Sequence, residues 1–152
     1  MSGIGYHLIA MAILIKSARA AVSPEDGARV LVERRRPGGV RKEALELRAW
    51  LAALAPSDPL RRWFYERPRQ WLLFRRRYLA ELCSEEAAAA LSMLHELAAS
   101  EPALTLLTST KEPERSHGAI LRDLLQGARK PPSSTGPARA ASGGRVRARR
   151  PR

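Results

Sequence analysis

Apolar residues in this chain change their rhythm along its length, and the rhythm predicts the elements. Leu8 to Ile15 is an unbroken apolar run closed by Lys16, the length of a strand buried on both faces, as in parallel sheets. Ser23-Pro24-Glu25-Asp26-Gly27 has the residue types of a turn, and Arg29-Val30-Leu31-Val32-Glu33 is a short β-branched strand. Arg34-Arg35-Arg36-Pro37-Gly38-Gly39 then stops regular structure. In Lys42 to Leu54 the apolar positions Leu45, Leu47, Trp50, Leu51 and Leu54 fit a helical period in part, and a helix is expected there.

From residue 57 onward the period is helical. Ser57 can cap a short helix, Asp58 to about Glu66, with Pro59 in its first turn. Pro68 suits the first position of a second helix, where Trp71, Phe74, Tyr78 and Leu82 recur at three- and four-residue steps. Ser84 caps a third, with Glu85 and Glu86 at its positive end and Leu91, Leu94 and Leu97 on its apolar face. Pro102 ends that helix. Ala103 to Thr108 reads as a strand apolar on both faces, and a last helix follows the Thr110-Lys111-Glu112-Pro113 loop and ends near Gly127 as its cap. The sum is an α/β protein: a small, mostly parallel sheet with several flanking helices, helix-rich, in a single domain.

Composition adds two limits. With 152 residues, 45% of them hydrophobic, the chain is sized for one core. Its single cysteine, Cys83, excludes an intramolecular disulfide and is read as a small buried hydrophobe. The opening apolar run is shorter than the ~20 residues that span a bilayer, and no positive charge precedes it as in a signal peptide. A cytoplasmic protein with no membrane partner is the expectation.

Charge changes the picture more. Of the net +12, eight cations and no acid lie in residues 128–152, a segment also rich in Pro, Ser and Gly and expected to be disordered. Residues 1–127 carry 19 cations against 15 acids, or +4. The tail arginines Arg145, Arg147, Arg149, Arg150 and Arg152 are candidates for weak, salt-sensitive contact with nucleic acid. An unselected, merely solvated extension fits the same composition.

Several residues fall in a familiar order: Ser23-Pro24-Glu25-Asp26-Gly27, Arg29 to Val32, Arg34, Pro37, Gly39, Lys42-Glu43, Ala55-Pro56-Ser57, Leu60-Arg61, Trp63-Phe64, Trp71, Phe74, Tyr78, Glu81-Leu82, Thr105-Leu106-Leu107, Lys111 and His117. The chain resembles the YeaO-like branch of the bacterial domain of unknown function 488 family from about Met11 to Gly127. The resemblance implies a bacterial, cytoplasmic α/β domain with residues 1–10 as an extension, and it implies no particular activity. Where the family typically reads Asp-Arg-Leu-Trp-Pro-Arg-Gly, this chain has Glu33-Arg34-Arg35-Arg36-Pro37-Gly38-Gly39. Arg48, Glu66, Thr108 and Ser116 stand where the family has Asp, His, Tyr and Asn. A polar site made of those groups would be lost or rebuilt here.

The candidate site follows the last strand. Ligands of open α/β sheets bind beyond the carboxyl ends of strands, near helix N-termini, so Lys111, Arg115, Ser116 and His117, with Arg34 after the earlier strand, are expected to converge on a phosphate- or carboxylate-bearing small molecule. Such loops are also ordinary connectors, Arg34 can simply pair with Glu33 or Glu43, and Arg35 and Arg36 are expected to be solvated. The aromatics Trp50, Trp63, Phe64, Trp71, Phe74 and Tyr78 are read as core. His7, His95 and His117 lack a metal-ligand spacing, and neither a Gly-rich phosphate loop nor a hydrolase signature is present, so no cofactor or metal is expected.

Overall fold

Gly27 marks where the sheet takes shape. Ser23 caps a 3-10 turn over Pro24–Asp26, and Gly27 leaves it at φ +64°, turning the chain into β2, Ala28–Leu31. A Cβ on Gly27 would sit 2.3 Å from the carbonyl oxygen of Ala103, so only glycine lets the neighbouring strand approach. The computed structural model describes residues 12–129. Their strands are β1 Ala12–Ser17, β2, β3 Ala49–Trp50 and β4 Ala103–Thr108, ordered β1-β4-β2-β3, every pair parallel. The helices are α1 Lys42–Leu45, α2 Asp58–Glu66, α3 Trp71–Glu81, α4 Glu85–Ser100 and α5 His117–Arg129.

The sheet's two faces are unequal. Ile13, Ala28, Val30, Val32, Leu104 and Leu106 join the main core with residues of α2 to α5. The other face carries Leu31 and Leu107, covered by Leu45 of the one-turn α1 and by Ala18. β4 lies inside the sheet and is buried from Leu104 to Thr108, as its run predicts. β1 is an edge strand, so Leu14 stays 36% exposed and burial on both faces does not hold for it. The first part of the expected run, residues 8–11, lies outside the described residues; at the other end Lys16 is inside the strand and not its stop, bonded to Asp26 at 2.9 Å.

Ser57 and Ser84 cap α2 and α4 as expected. Other expectations fail. Lys42 to Leu54 is not one helix: α1 ends at Glu46, which is left-handed (φ 49°), and the chain then pairs with β2. The amides of Arg48 and Leu51 donate to the carbonyls of Arg29 and Leu31, acceptors on the flank of β2 away from β4. Trp50 is therefore a half-exposed edge residue whose Nε1 donates to the Glu33 carbonyl, not core. Pro68 sits in the turn before α3, which starts at Trp71, since proline suits a turn as well as a first helical position. α5 continues through Gly127 to Arg129 without a cap there. Cys83 is exposed just past α3, where the helix's buried stripe has ended at Leu82.

The remaining aromatics do pack inward. Phe64 and Phe74 stack at 4.3 Å and Phe74 lies 6.1 Å from Tyr78, whose hydroxyl donates to the Leu54 carbonyl at 2.6 Å. His95 is half-buried on α4. Residues 128–152 carry the tail expectation, and the arginines Arg145, Arg147, Arg149, Arg150 and Arg152 lie outside the described residues, as do residues 1–10.

Candidate functional site

The topology opens a crevice at one place. β2 and β4 are neighbours, but the chain leaves β2 toward β3 and leaves β4 toward α5, which packs against β1 and β4. Diverging connections at the carboxyl ends of parallel strands leave a gap between them, the usual position for a ligand in such sheets. A cavity of about 770 Å³ occupies it.

Its floor is a buried acid–imidazole pair. Glu33 follows β2, and its Oε2 accepts the Ser109 amide at 2.9 Å. His117, the first residue of α5, contacts the Val32 carbonyl through Nε2 at 2.7 Å, with Glu33 Oε2 3.9 Å away. A carbonyl only accepts, so Nε2 carries the hydrogen. Burial pushes the imidazole's pKa down; the Glu33 carboxylate and the bond to Val32 oppose this without overcoming it, and the Arg61 charge adds to the depression. His117 is thus neutral near pH 7. Tyr78 meets its ring edge-on at 5.6 Å.

One wall comes from α2. Asp58, Arg61, Arg62 and Tyr65 lie on one stripe at helical spacing, opposite the buried Leu60. Arg35 bonds Asp58 at 3.3 Å, and that bond and charge, aided by Arg61, hold the Asp58 carboxyl below its ordinary pKa. The facing wall is the loop after β4. Arg115 donates to the Pro68 carbonyl at 2.6 Å and lies 5.9 Å over the Trp71 ring, which ties that loop to the α2–α3 turn. Phe64, Tyr65 and Phe74 supply the apolar part of the lining.

Of the sequence candidates, Arg115, Ser116 and His117 line this cavity, and Arg34 and Lys111 do not. Arg34 is exposed, reaches the Ala55 carbonyl at 3.5 Å, and lines a separate shallow depression with Arg35, Arg36, Arg41 and Trp50. It pairs with neither Glu33 nor Glu43 among the described residues. Lys111 is exposed and borders neither. Arg35, Asp58, Arg61, Arg62 and Tyr65 line the cavity without being sequence candidates for it. A signal is present in α2, whose polar stripe runs opposite its apolar one, but nothing in the sequence sets that stripe against the loop after β4.

Three hydroxyls at or beside the floor are already engaged. The Ser116 hydroxyl donates to the Pro113 carbonyl and accepts the Gly118 amide, the Thr110 hydroxyl accepts the Glu112 amide, and Tyr78 is bonded to Leu54. Cations remain: Arg62 makes no ion pair among the described residues.

Comparison with known proteins identifies relatives of the chain. A family model described as the inactive DUF488-N3 subclade matches residues 12–142, which runs past Gly127. The uncharacterised protein Rv3073c of Mycobacterium tuberculosis is 39% identical over 106 residues, 70% of this chain and 86% of that protein. The uncharacterised protein YeaO of Escherichia coli is 35% identical over 116 residues, 76% of this chain and 98% of YeaO. No solved structure matches the chain.

Proposed function

The chain belongs to the DUF488 family, in the subclade described as inactive, and on that premise we propose that it is a cytoplasmic binding protein whose cavity takes a small organic anion without turning it over. The observation that carries this reading is the cavity at the ends of β2 and β4, where Arg61, Arg62 and Arg115 meet an apolar lining and the Ser116 and Tyr78 hydroxyls are already bonded to backbone carbonyls. Arginine's planar fork suits a carboxylate or phosphate head, and Phe64, Tyr65 and Phe74 suit an apolar or aromatic body. The neutral His117 adds no charge and acts as structure, tying α5 to the end of β2.

A thermal-shift screen of the full chain with pyrophosphate, nucleoside monophosphates and aromatic carboxylates tests it. A ligand at ten times its Kd stabilises the fold by about 1.4 kcal/mol, a shift of several degrees for a domain this size. The shift should vanish in Arg62→Ala and Arg115→Ala and persist in Arg34→Ala. Absence of any shift at millimolar concentration, or loss of it only in Arg34→Ala, would overturn the reading.

A further inference from the structure

The folded body concentrates its positive charge on one helical hairpin. Between residues 61 and 77 seven arginines stand against the single acid Glu66, a net +6, whereas the other 12 cations and 14 carboxylates of residues 1–127 come to −2. All of the body's excess charge therefore sits on α2, α3 and the turn between them. Only Arg61, 3.9 Å from Asp58, and Arg67, 3.4 Å from Glu66, have a carboxylate within reach; Arg62, Arg69, Arg75, Arg76 and Arg77 have none among the described residues. Seven crowded cations, five of them without a carboxylate partner among the described residues, repel one another, a standing cost that a bound polyanion would remove.

Aromatic rings are interleaved with these cations. Two guanidinium groups lie over Trp63, Arg77 at 4.4 Å and Arg67 at 5.6 Å from its ring centre. The cation–π contact with Trp63 leaves the Arg77 N–H groups available, since no hydrogen bond from that group is made within the described residues. One turn along α2 from Arg61 and Arg62, Tyr65 projects with 87% of its surface exposed, and Leu72 is 78% exposed at the start of α3. A large aromatic ring left in water amid unpaired cations is what a single-stranded nucleic acid uses: phosphates meet the guanidinium groups and an unstacked base meets the ring. A membrane surface fits less well, because the apolar stripes of both helices, Leu60, Phe74 and Tyr78, are turned into the core.

We infer that the outer face of the α2–α3 hairpin binds the phosphodiester backbone of single-stranded nucleic acid without reading its sequence. The surface adjoins the cavity, sharing Arg61, Arg62 and Tyr65 with its rim, and extends beyond it through Arg67, Arg69, Arg75, Arg76 and Arg77, which do not line it; it is distinct from the tail arginines.

The test uses the full chain and a labelled oligo(U) of about 12 nucleotides, within the ~4–16-nucleotide site sizes of such surfaces, titrated at several salt concentrations. The variant Arg69→Gln, Arg75→Gln, Arg76→Gln alters three side chains that hold nothing described above in place, so its melting temperature should match the parent. Its affinity should fall tenfold or more at low salt. Its salt slope should drop by about 2, because each single-strand phosphate that is no longer neutralised takes away ~0.7. Tyr65→Ala should weaken binding about fivefold by removing the stacking ring. A second variant with Arg145, Arg147, Arg149, Arg150 and Arg152 changed to Gln should keep the greater part of the affinity, and the triple variant should keep any small-anion shift of the cavity. Parent-like binding by the triple variant, abolition by the tail variant alone, or binding of phosphatidylserine vesicles without oligonucleotide would each overturn the inference.

Discussion

His117 shows how a single side chain joins the sheet to the helical layer. Its imidazole is buried and neutral, with Nε2–H on the Val32 carbonyl. Because folding lowers its pKa, the unfolded chain binds the proton more readily, so stability is complete above the ordinary histidine value and falls as pH drops through about 6.5 toward the folded value. Urea midpoints between pH 7.5 and 5.5 should show this decline, and His117→Gln, which keeps a donor for Val32, should flatten it. Asp26 behaves differently. Burial pushes its carboxyl up, but bonds from Lys16, the Ser23 amide and Arg29 outweigh that and hold it below its usual value, so its contribution is lost only below about pH 4. Arg29 is buried beside it, bonded to Asp26 and to the Leu45 carbonyl. Asp26→Ala leaves that guanidinium uncompensated and should cost about 3–5 kcal/mol in chemical unfolding.

At the scale of elements, caps are legible in the sequence and contexts are not. Ser57 is identifiable from its place before Asp58 and Pro59, and the structure gives it the Leu60 amide to cap. What the sequence does not contain is the grip of Glu81, which accepts both the Ser57 amide at 2.8 Å and its hydroxyl at 2.6 Å and so fixes the end of α3 to the start of α2. Ser57→Ala should therefore cost about 1–2 kcal/mol, toward the upper end for a cap, and a thermal melt would show it. The stretch from Lys42 to Leu54 departs from its helical expectation for a physical reason. Its apolar residues serve two faces of the sheet, Leu45 one and Leu51 and Leu54 the other, which blurs both the helical and the strand period. Gly27 is recognisable as a turn residue, and its need to be glycine follows from the 2.3 Å approach to Ala103. Gly27→Ala should destabilise by about 2–4 kcal/mol through strain at positive φ together with that clash.

At the scale of the molecule, the described residues form an asymmetric sandwich: four helices on one face of the sheet and a single helical turn on the other. Leu45 alone brings α1 down onto Leu31 and Leu107. Leu45→Ala should thus cost about 2–4 kcal/mol, despite its place in a four-residue helix, and fluorescence-detected unfolding would measure it. Among the described residues no helix is long and apolar enough to cross a membrane.

Certain features of this protein are determined by sequence alone, because they depend on neighbours along the chain. The parallel α/β character, the bounds of α2, the caps of α2 and α4, and the strand Ala103–Thr108 all follow from local period and residue type. The family resemblance follows from order and spacing. The site does not, since its parts are contributed by segments as distant as Glu33, Arg62 and Arg115. Arg34 and Lys111 carry charges as suitable as those of Arg61 and Arg62, yet strand order and helix rotation put the second pair in the cavity and leave the first outside it. Charge can be counted in a sequence; the direction in which it points is set by packing.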